Sequence, residues 1–394
     1  MSKCYSLCVR LRGMVIFRRL LEDAVLSNLV RLLEAACAHD GISYYAAFAA
    51  ALYEKSDNLS DYLLDLVLRD ENIYMHKAAG QEPVSPLLRE CLEQELRLLE
   101  EVSRISPPML REALAYDGFL PAYNCSTHDF RAAYAERLTR IACYGYGVFT
   151  DHHAFVLEHH TLVPVRHPDP ITLDRLPGYQ RERGLVLNNT LALIEGRPAA
   201  NVLLYGDSGT GKSSTVKAVV NEYAHRGLRL IELKKNQLTE LPALLDRLSS
   251  NPLRFILFID DLSFTKDDDN FAALKAILEG SISYKNDNVA VYATSNRRHL
   301  VKESFSDREG DEIHLGDTIA ELTSLSDRFG LTVTFERPGK RQYLDIVLRL
   351  AQLNNIELSE EALIAAAETY ALRRAGRSPR VAKQFIESLL ANPV

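Results

Sequence analysis

Residues 206–213, GDSGTGKS, complete a G-x-x-x-x-G-K-[ST] pattern, and the apolar run over 201–205 just before them reads as a buried strand. Few features restrict a fold as tightly, because strand, glycine-rich turn and helix must follow in that order. Glycines let successive main-chain amides turn inward with no Cβ in the way, and the helix opening at Lys212 adds its unpaired N–H groups and positive end. Such a loop cradles phosphate. The contacting stretch is Gly206, Asp207, Ser208, Gly209, Thr210, Gly211, Lys212, Ser213 and Ser214. Within it Lys212 reaches the outer phosphates, and the Ser213 hydroxyl is a ligand for Mg²⁺.

The rest of the chain divides by pattern around that loop. Residues 201–205, 228–233, 255–260, 289–294 and 331–335 are near-continuous apolar runs alternating with helical stretches. That is the signature of a mainly parallel five-stranded sheet with both faces covered. Three helical segments follow, over 342–353, 359–372 and 378–390, and form a C-terminal helical lid. Residues 1–145 read as a mostly helical region, with a long amphipathic helix over 17–36 ending near Gly41 and further helices from Ser60, over 86–103 and over 129–144. The expected domains are 1–145, a strand pair with linker over 146–170, an α/β core over 171–337 and the lid over 338–394.

The strand pair, 154–157 and 161–165, is flanked by His152, His153, His159, His160 and His167. Adjacent histidines on a strand point to opposite faces, so these read as polar positions around a hairpin rather than as a metal site. All six cysteines precede residue 150 without a C-x-x-C pair, which suits small thiols better than a disulfide framework. At 394 residues the chain exceeds one ordinary core. Its net charge of −7 gives no bulk attraction to nucleic acid or acidic membranes. No apolar run approaches a membrane span, and arginines spoil the N-terminus as a secretory signal, so the expectation is a cytoplasmic protein with no membrane partner.

Four further positions carry chemistry. FILFIDDL ends a strand in Asp260, placed to hold Mg²⁺, and Asp261, placed to orient or deprotonate an attacking water. ATSN ends the next strand in Asn296, a neutral donor and acceptor suited to positioning the water or the γ-phosphate. Arg328, directly before the fifth strand, is a permanently charged fork suited to a transferring phosphoryl group; its bland reading is an ion pair with Asp327. Arg380 sits in a first helical turn, where a cation calls for a nearby anion.

The order and spacing of these elements resemble an AAA+ ATPase over about residues 171–394. With LPGYQRERG, ANVLLYGDSGTGKS, FIDDLSF, YATSNRRHLV and SDRFGLTVTFERP, the chain is similar to the bacterial AAA+ group known as Domain of Unknown Function 815. The resemblance implies ATP and Mg²⁺ as cofactors, Lys212 and Ser213 as Walker A, and Asp260 and Asp261 as Walker B. It makes Asn296 sensor 1, Arg328 the arginine finger and Arg380 sensor 2, with residues 176–179 packing on adenine. It also implies a homo-oligomeric ring, a hexamer, with Arg328 acting on the neighbouring subunit.

Two departures bear on function. Most relatives of this kind carry Glu where this chain has Asp261, one methylene shorter; initiator and helicase-loader ATPases resemble it in having Asp-Asp. KKNQLTELP lacks the aromatic-apolar pair with which unfoldases grip polypeptide, although 301–318 could supply another grip. The first expectation is an oligomeric ATPase remodelling an unknown protein client. The alternative is a slowly hydrolysing switch or loader on nucleic acid, for which Arg373, Arg374, Arg377, Arg380 and Lys383 could form a basic face. TKDD at 265–268 follows the Asp-Asp strand directly, the wrong place for a guanine-reading motif.

Overall fold

The computed structural model describes residues 3–35, 41–262, 269–278, 287–296, 328–374 and 376–391. The stretches 301–318 and 265–268 singled out above lie outside the described residues. The chain divides into two compact units, Met1–Thr150 and Asp151–Val394.

In the first unit, α1 (Lys3–Arg12), α2 (Ala24–Ala35), α3 (Gly41–Tyr53), α4 (Leu59–Arg69), α5 (Ile73–Ala79), α6 (Pro86–Ser103), α7 (Pro107–Leu114), α8 (Phe130–Thr139) and α9 (Ile141–Tyr144) surround an apolar core. The helix expected over 17–36 is interrupted. Arg18–Glu22 is a 3-10 turn, and Asp23 caps α2 by accepting from the N–H groups of Val25 and Leu26 at 3.0 and 3.1 Å. The Tyr62 hydroxyl donates to its other carboxylate oxygen at 2.7 Å. Apolar spacing runs straight through Asp23, so periodicity is blind to a side chain that takes the helix's own amides. Gly41 opens α3 instead of closing the preceding helix. The buried Glu95 accepts from the main-chain N–H groups of Val15, Ile16 and Phe17 at 2.6, 3.1 and 2.9 Å, which offsets the desolvation of its carboxylate.

The second unit is built on seven strands: β1 (Ala154–Glu158), β2 (Thr161–Pro164), β3 (Val202–Gly206), β4 (Leu228–Leu233), β5 (Arg254–Ile259), β6 (Val289–Ser295) and β7 (Leu331–Phe335). Their order is β2-β1-β4-β5-β6-β3-β7, with every neighbouring pair parallel except the β1–β2 hairpin. The sheet thus has two strands more than the five expected. The extra pair is the 154–164 hairpin, whose β1 pairs with β4 in the register Phe155↔Ile231. β4 is buried at five of its six positions and needs a neighbour on its outer edge. His159 and His160 form the hairpin's two-residue turn, with φ of 46° and 62°.

Around the sheet lie α10 (Gln180–Ile194), α11 (Lys212–Tyr223), α12 (Leu241–Ser249) and α13 (Asp269–Leu278). The lid is α14 (Lys340–Leu353), α15 (Glu360–Arg373) and α16 (Pro379–Ala391). One apolar cluster joins Val202, Ile256 and Tyr292 of the sheet to Tyr343, Ala367 and Phe385 of the lid. The architecture is an α/β core with a mainly parallel sheet and a helical lid, in a chain that also carries a helical N-terminal unit.

His153 tests how firmly the added hairpin is held. Its carbonyl accepts from Leu230 N–H at 2.8 Å, and its Nε2 lies 3.1 Å from Asn221 Oδ1. Burial lowers its imidazole below the usual 6.5, with the Asn221 bond working the other way. A group whose folded value is depressed contributes stability above its unfolded value and loses it as the pH falls through the folded one. Thermal midpoints are therefore expected to drop on acidification below 6.5. The drop should be smaller in His153→Gln; equal drops in both proteins would exclude His153 as the cause.

Candidate functional site

Parallel strands present their carboxyl ends together, and the strand order decides which residues meet there. β3 lies between β6 and β7, pairing Leu204 with both Thr294 and Val333. The loop after β3 therefore adjoins the end of β6, and β5 follows one strand further on. Residues far apart in sequence, Lys212, Asp260, Asp261 and Asn296, arrive at one place.

Gly206 leaves β3 at a φ of 134°, and an added Cβ would collide with the Phe335 carbonyl. Gly209 and Gly211 also have positive φ, 77° and 95°, and Gly211 opens α11. The Thr210 hydroxyl donates to Asp207 O at 2.8 Å and ties the loop across itself. Ser208 is exposed, and Ser213 and Ser214 are half-buried at the start of α11. Lys212 is buried and donates to Gly206 O, Asp207 O and Asn296 Oδ1 at 2.7, 2.9 and 3.0 Å. Burial holds its ammonium below the usual lysine range, while Asp261, Asp207 and Asp260 push it back up and Arg380 adds to the lowering. A cation so desolvated has a strong preference for an anion.

The two carboxylates are held differently. Asp260 Oδ1 accepts from the Ser213 hydroxyl at 2.6 Å and from the Thr294 hydroxyl at 2.5 Å. Asp261 is left-handed, with φ of 54°, and its Oδ1 accepts from Asn296 Nδ2 at 2.6 Å. Asn296 thus bridges Lys212 and Asp261 with the two ends of one amide. Ser213 and Asp260 supply hydroxyl and carboxylate oxygens side by side, a donor set suited to Mg²⁺. With Gly211 facing open space beside them and the desolvated Lys212 ammonium close by, these residues fit a phosphate-bound cation.

The two arginines separate. Arg380 opens α16 and its main-chain N–H donates to Gly209 O at 3.1 Å, so the lid touches the loop. Just ahead of the lid, the Arg337 N–H donates to Asp207 Oδ2 at 3.1 Å. Glu368 holds this side of the lid together, accepting from Arg377 at 3.1 and 3.0 Å and pairing with Lys340 at 3.1 Å. Arg328 lies elsewhere. It precedes β7, whose first residue Leu331 donates to Asn201 O at 3.1 Å before β3 begins. Arg328 is thus at the amino end of the sheet, a strand length of roughly 17 Å from the loop.

Residues 176–178 line a cleft of about 610 Å³ between α10 and α14, and Tyr179 packs its ring on Phe335 with centroids 5.3 Å apart. Sequence reasoning passed over Thr294 and Asp207's side chain. The one signal was a hydroxyl ending an otherwise apolar strand, VAVYAT.

Comparison with known proteins gives three findings. No curated protein sequence matches the chain. Among solved structures, the chain is similar to the RuvB Holliday junction branch migration motor of Thermotoga maritima, at 17% identity and a TM-score of 0.38, covering 56% of this chain and 65% of that one. Two single-substitution forms of that RuvB give identities of 18% and 17% and TM-scores of 0.38 and 0.39. The chain spans 65% of the length of these RuvB chains. A family model described as "Protein of unknown function (DUF815)" matches residues 150–393, well over half of the chain and the whole of the loop, acid pair and lid. The protein belongs to the DUF815 family.

Proposed function

We propose that the protein binds ATP with Mg²⁺ and hydrolyses it, working as a homo-oligomer that remodels a protein client. The observation that carries this is the Lys212–Asn296–Asp261 chain of contacts beside Ser213 and Asp260. Lys212 exchanges its carbonyl partners for phosphate oxygens. Ser213 and Asp260 would hold Mg²⁺, which would supply positive charge against the charge that develops on the phosphates. Asp261 takes a proton from the attacking water, and Asn296 orients that water. Arg380 enters from the lid.

Arg328, remote from its own loop, serves a neighbouring subunit in a ring, as the family resemblance implies for a hexamer. Nucleotide state then alters the contact between subunits. The helical N-terminal unit presents the adaptor surface for the client.

A second reading is favoured by one contact. The Asn296 amide occupies the Asp261 carboxylate at 2.6 Å, and that side chain is short, which suits a slowly hydrolysing switch or loader on nucleic acid. Phosphate release by the full chain, with and without DNA, separates the two. Turnover independent of DNA supports the remodeller, while tight binding with turnover only on DNA supports the loader. No binding of Mg·ATP by calorimetry sinks both. Mixing Arg328→Ala with Lys212→Ala subunits, each inactive alone, is expected to restore part of the activity; an inactive mixture would exclude action across subunits.

A further inference from the structure

We propose that Thr294 is a positioning residue for both members of the acid pair, acting through Asp260 and Asp261 on the bound cation and the attacking water. The inference rests on the ATPase reading above and assigns a role to a residue outside the loop, the acid pair and Asn296.

Thr294 is 1% exposed, near the end of β6 and between the strands that carry the loop and the acids. A hydroxyl has one hydrogen to give and lone pairs to accept with, and this one uses both. It donates to Asp260 Oδ1 at 2.5 Å and accepts the Asp261 N–H at 2.9 Å. The Thr294 main-chain carbonyl accepts the Leu262 N–H at 2.7 Å. Three consecutive residues are therefore held by one threonine.

Each contact has a consequence. Both hydroxyl donors to Asp260 fall on Oδ1, and no described residue donates to Oδ2. Thr294 thus turns the carboxylate so that one oxygen is tied and the other is left for a cation. At Asp261 the φ of 54° lies in the left-handed region, uncommon outside glycine though aspartate adopts it more readily than most residues, so contacts that fix the turn set its population. The Thr294 hydroxyl and carbonyl bracket that turn from both sides. Because alternate residues share a face of a strand, Thr294 and Asn296 work from the same side of β6, one through the Asp261 backbone and the other on its carboxylate.

A merely structural threonine would also be buried and satisfied, so the test compares Thr294→Ser, which keeps the hydroxyl, with Thr294→Val, which keeps the shape. The readouts are affinity for a fluorescent ATP analogue in EDTA and across a Mg²⁺ titration, steady-state kcat and KM, and the thermal midpoint. For Thr294→Val, Mg²⁺ half-saturation is expected to rise and kcat to fall by about 10- to 100-fold each, the range seen when a residue supporting a metal ligand is lost. Affinity in EDTA and KM for ATP should stay near those of the wild type, and Thr294→Ser should restore both losses. If Thr294→Val does not fold, Thr294→Ala takes its place.

A hydroxyl-free variant with unchanged Mg²⁺ half-saturation and kcat overturns the inference, as does one that loses affinity equally with and without Mg²⁺. Failure of the serine form to rescue does the same. Should the wild type itself neither bind nor hydrolyse Mg·ATP, the ATPase reading falls and takes this role with it. Wild-type turnover matched by the valine form removes Thr294 alone.

Discussion

Lys212→Ala is expected to abolish turnover and to weaken Mg·ATP binding by about 10²- to 10⁴-fold, the effect of removing one partner from a buried charged contact worth roughly 3–5 kcal/mol. Lys212 is 6% exposed, and its ammonium has three donors, all engaged with Gly206 O, Asp207 O and Asn296 Oδ1. Alanine leaves two loop carbonyls without that donor and offers nothing to a phosphate. The unliganded variant should remain folded, since the loop's own Thr210–Asp207 bond and its pairing beside β7 persist. Calorimetry with Mg·ATP and phosphate release check both halves. Binding close to that of the wild type would mean that the ammonium does not meet the phosphates.

Gly206→Ala is expected to cost about 2–6 kcal/mol of folding stability, the sum of a forced positive-φ backbone, roughly 1–3 kcal/mol, and overpacking of similar size. The φ of 134° suits glycine alone, and the new Cβ would collide with the Phe335 carbonyl and come within 2.7 Å of its carbon. Main-chain atoms cannot rotate aside as a side chain can. Relief would require parting β3 from β7 at the Gly206↔Phe335 pair and losing the Asp207 N–H to Phe335 O bond of 3.2 Å. Gly184 is the control. It lies within α10 with nothing within 4 Å of an added Cβ, so Gly184→Ala should be neutral or stabilise by up to about 1 kcal/mol. Urea midpoints compare the two, and equal effects would show that the clash at Phe335 is relieved cheaply.

Much of the second unit could be read from residue order because its signals are local. The five apolar runs became β3 to β7 with ends shifted by no more than a residue or so, and the three lid helices followed. What escaped depends on partners distant in sequence. The hairpin's place beside β4 rests on Phe155 meeting Ile231, which no local period encodes. Asp23 escaped because its cap lies within an unbroken apolar stripe. Thr294 escaped because a threonine is ordinary at the end of a strand; only the neighbourhood of β5 shows that its hydroxyl meets two acids. Arg328 was legible as a residue type, yet its separation from the loop appears only once β7 is seen running alongside β3.

The lid is tied to the loop by the Arg380 N–H on Gly209, at the start of its last helix, and the Arg337 N–H on Asp207 holds the chain just ahead of its first. Swinging the three helices as a body must break or re-form the Arg380 bond, worth about 0.5–1.5 kcal/mol. Loop shape and lid angle are in effect one mechanical coordinate. Anything that reshapes Asp207 and Gly209 exerts leverage on α14 and α16 with no intermediary.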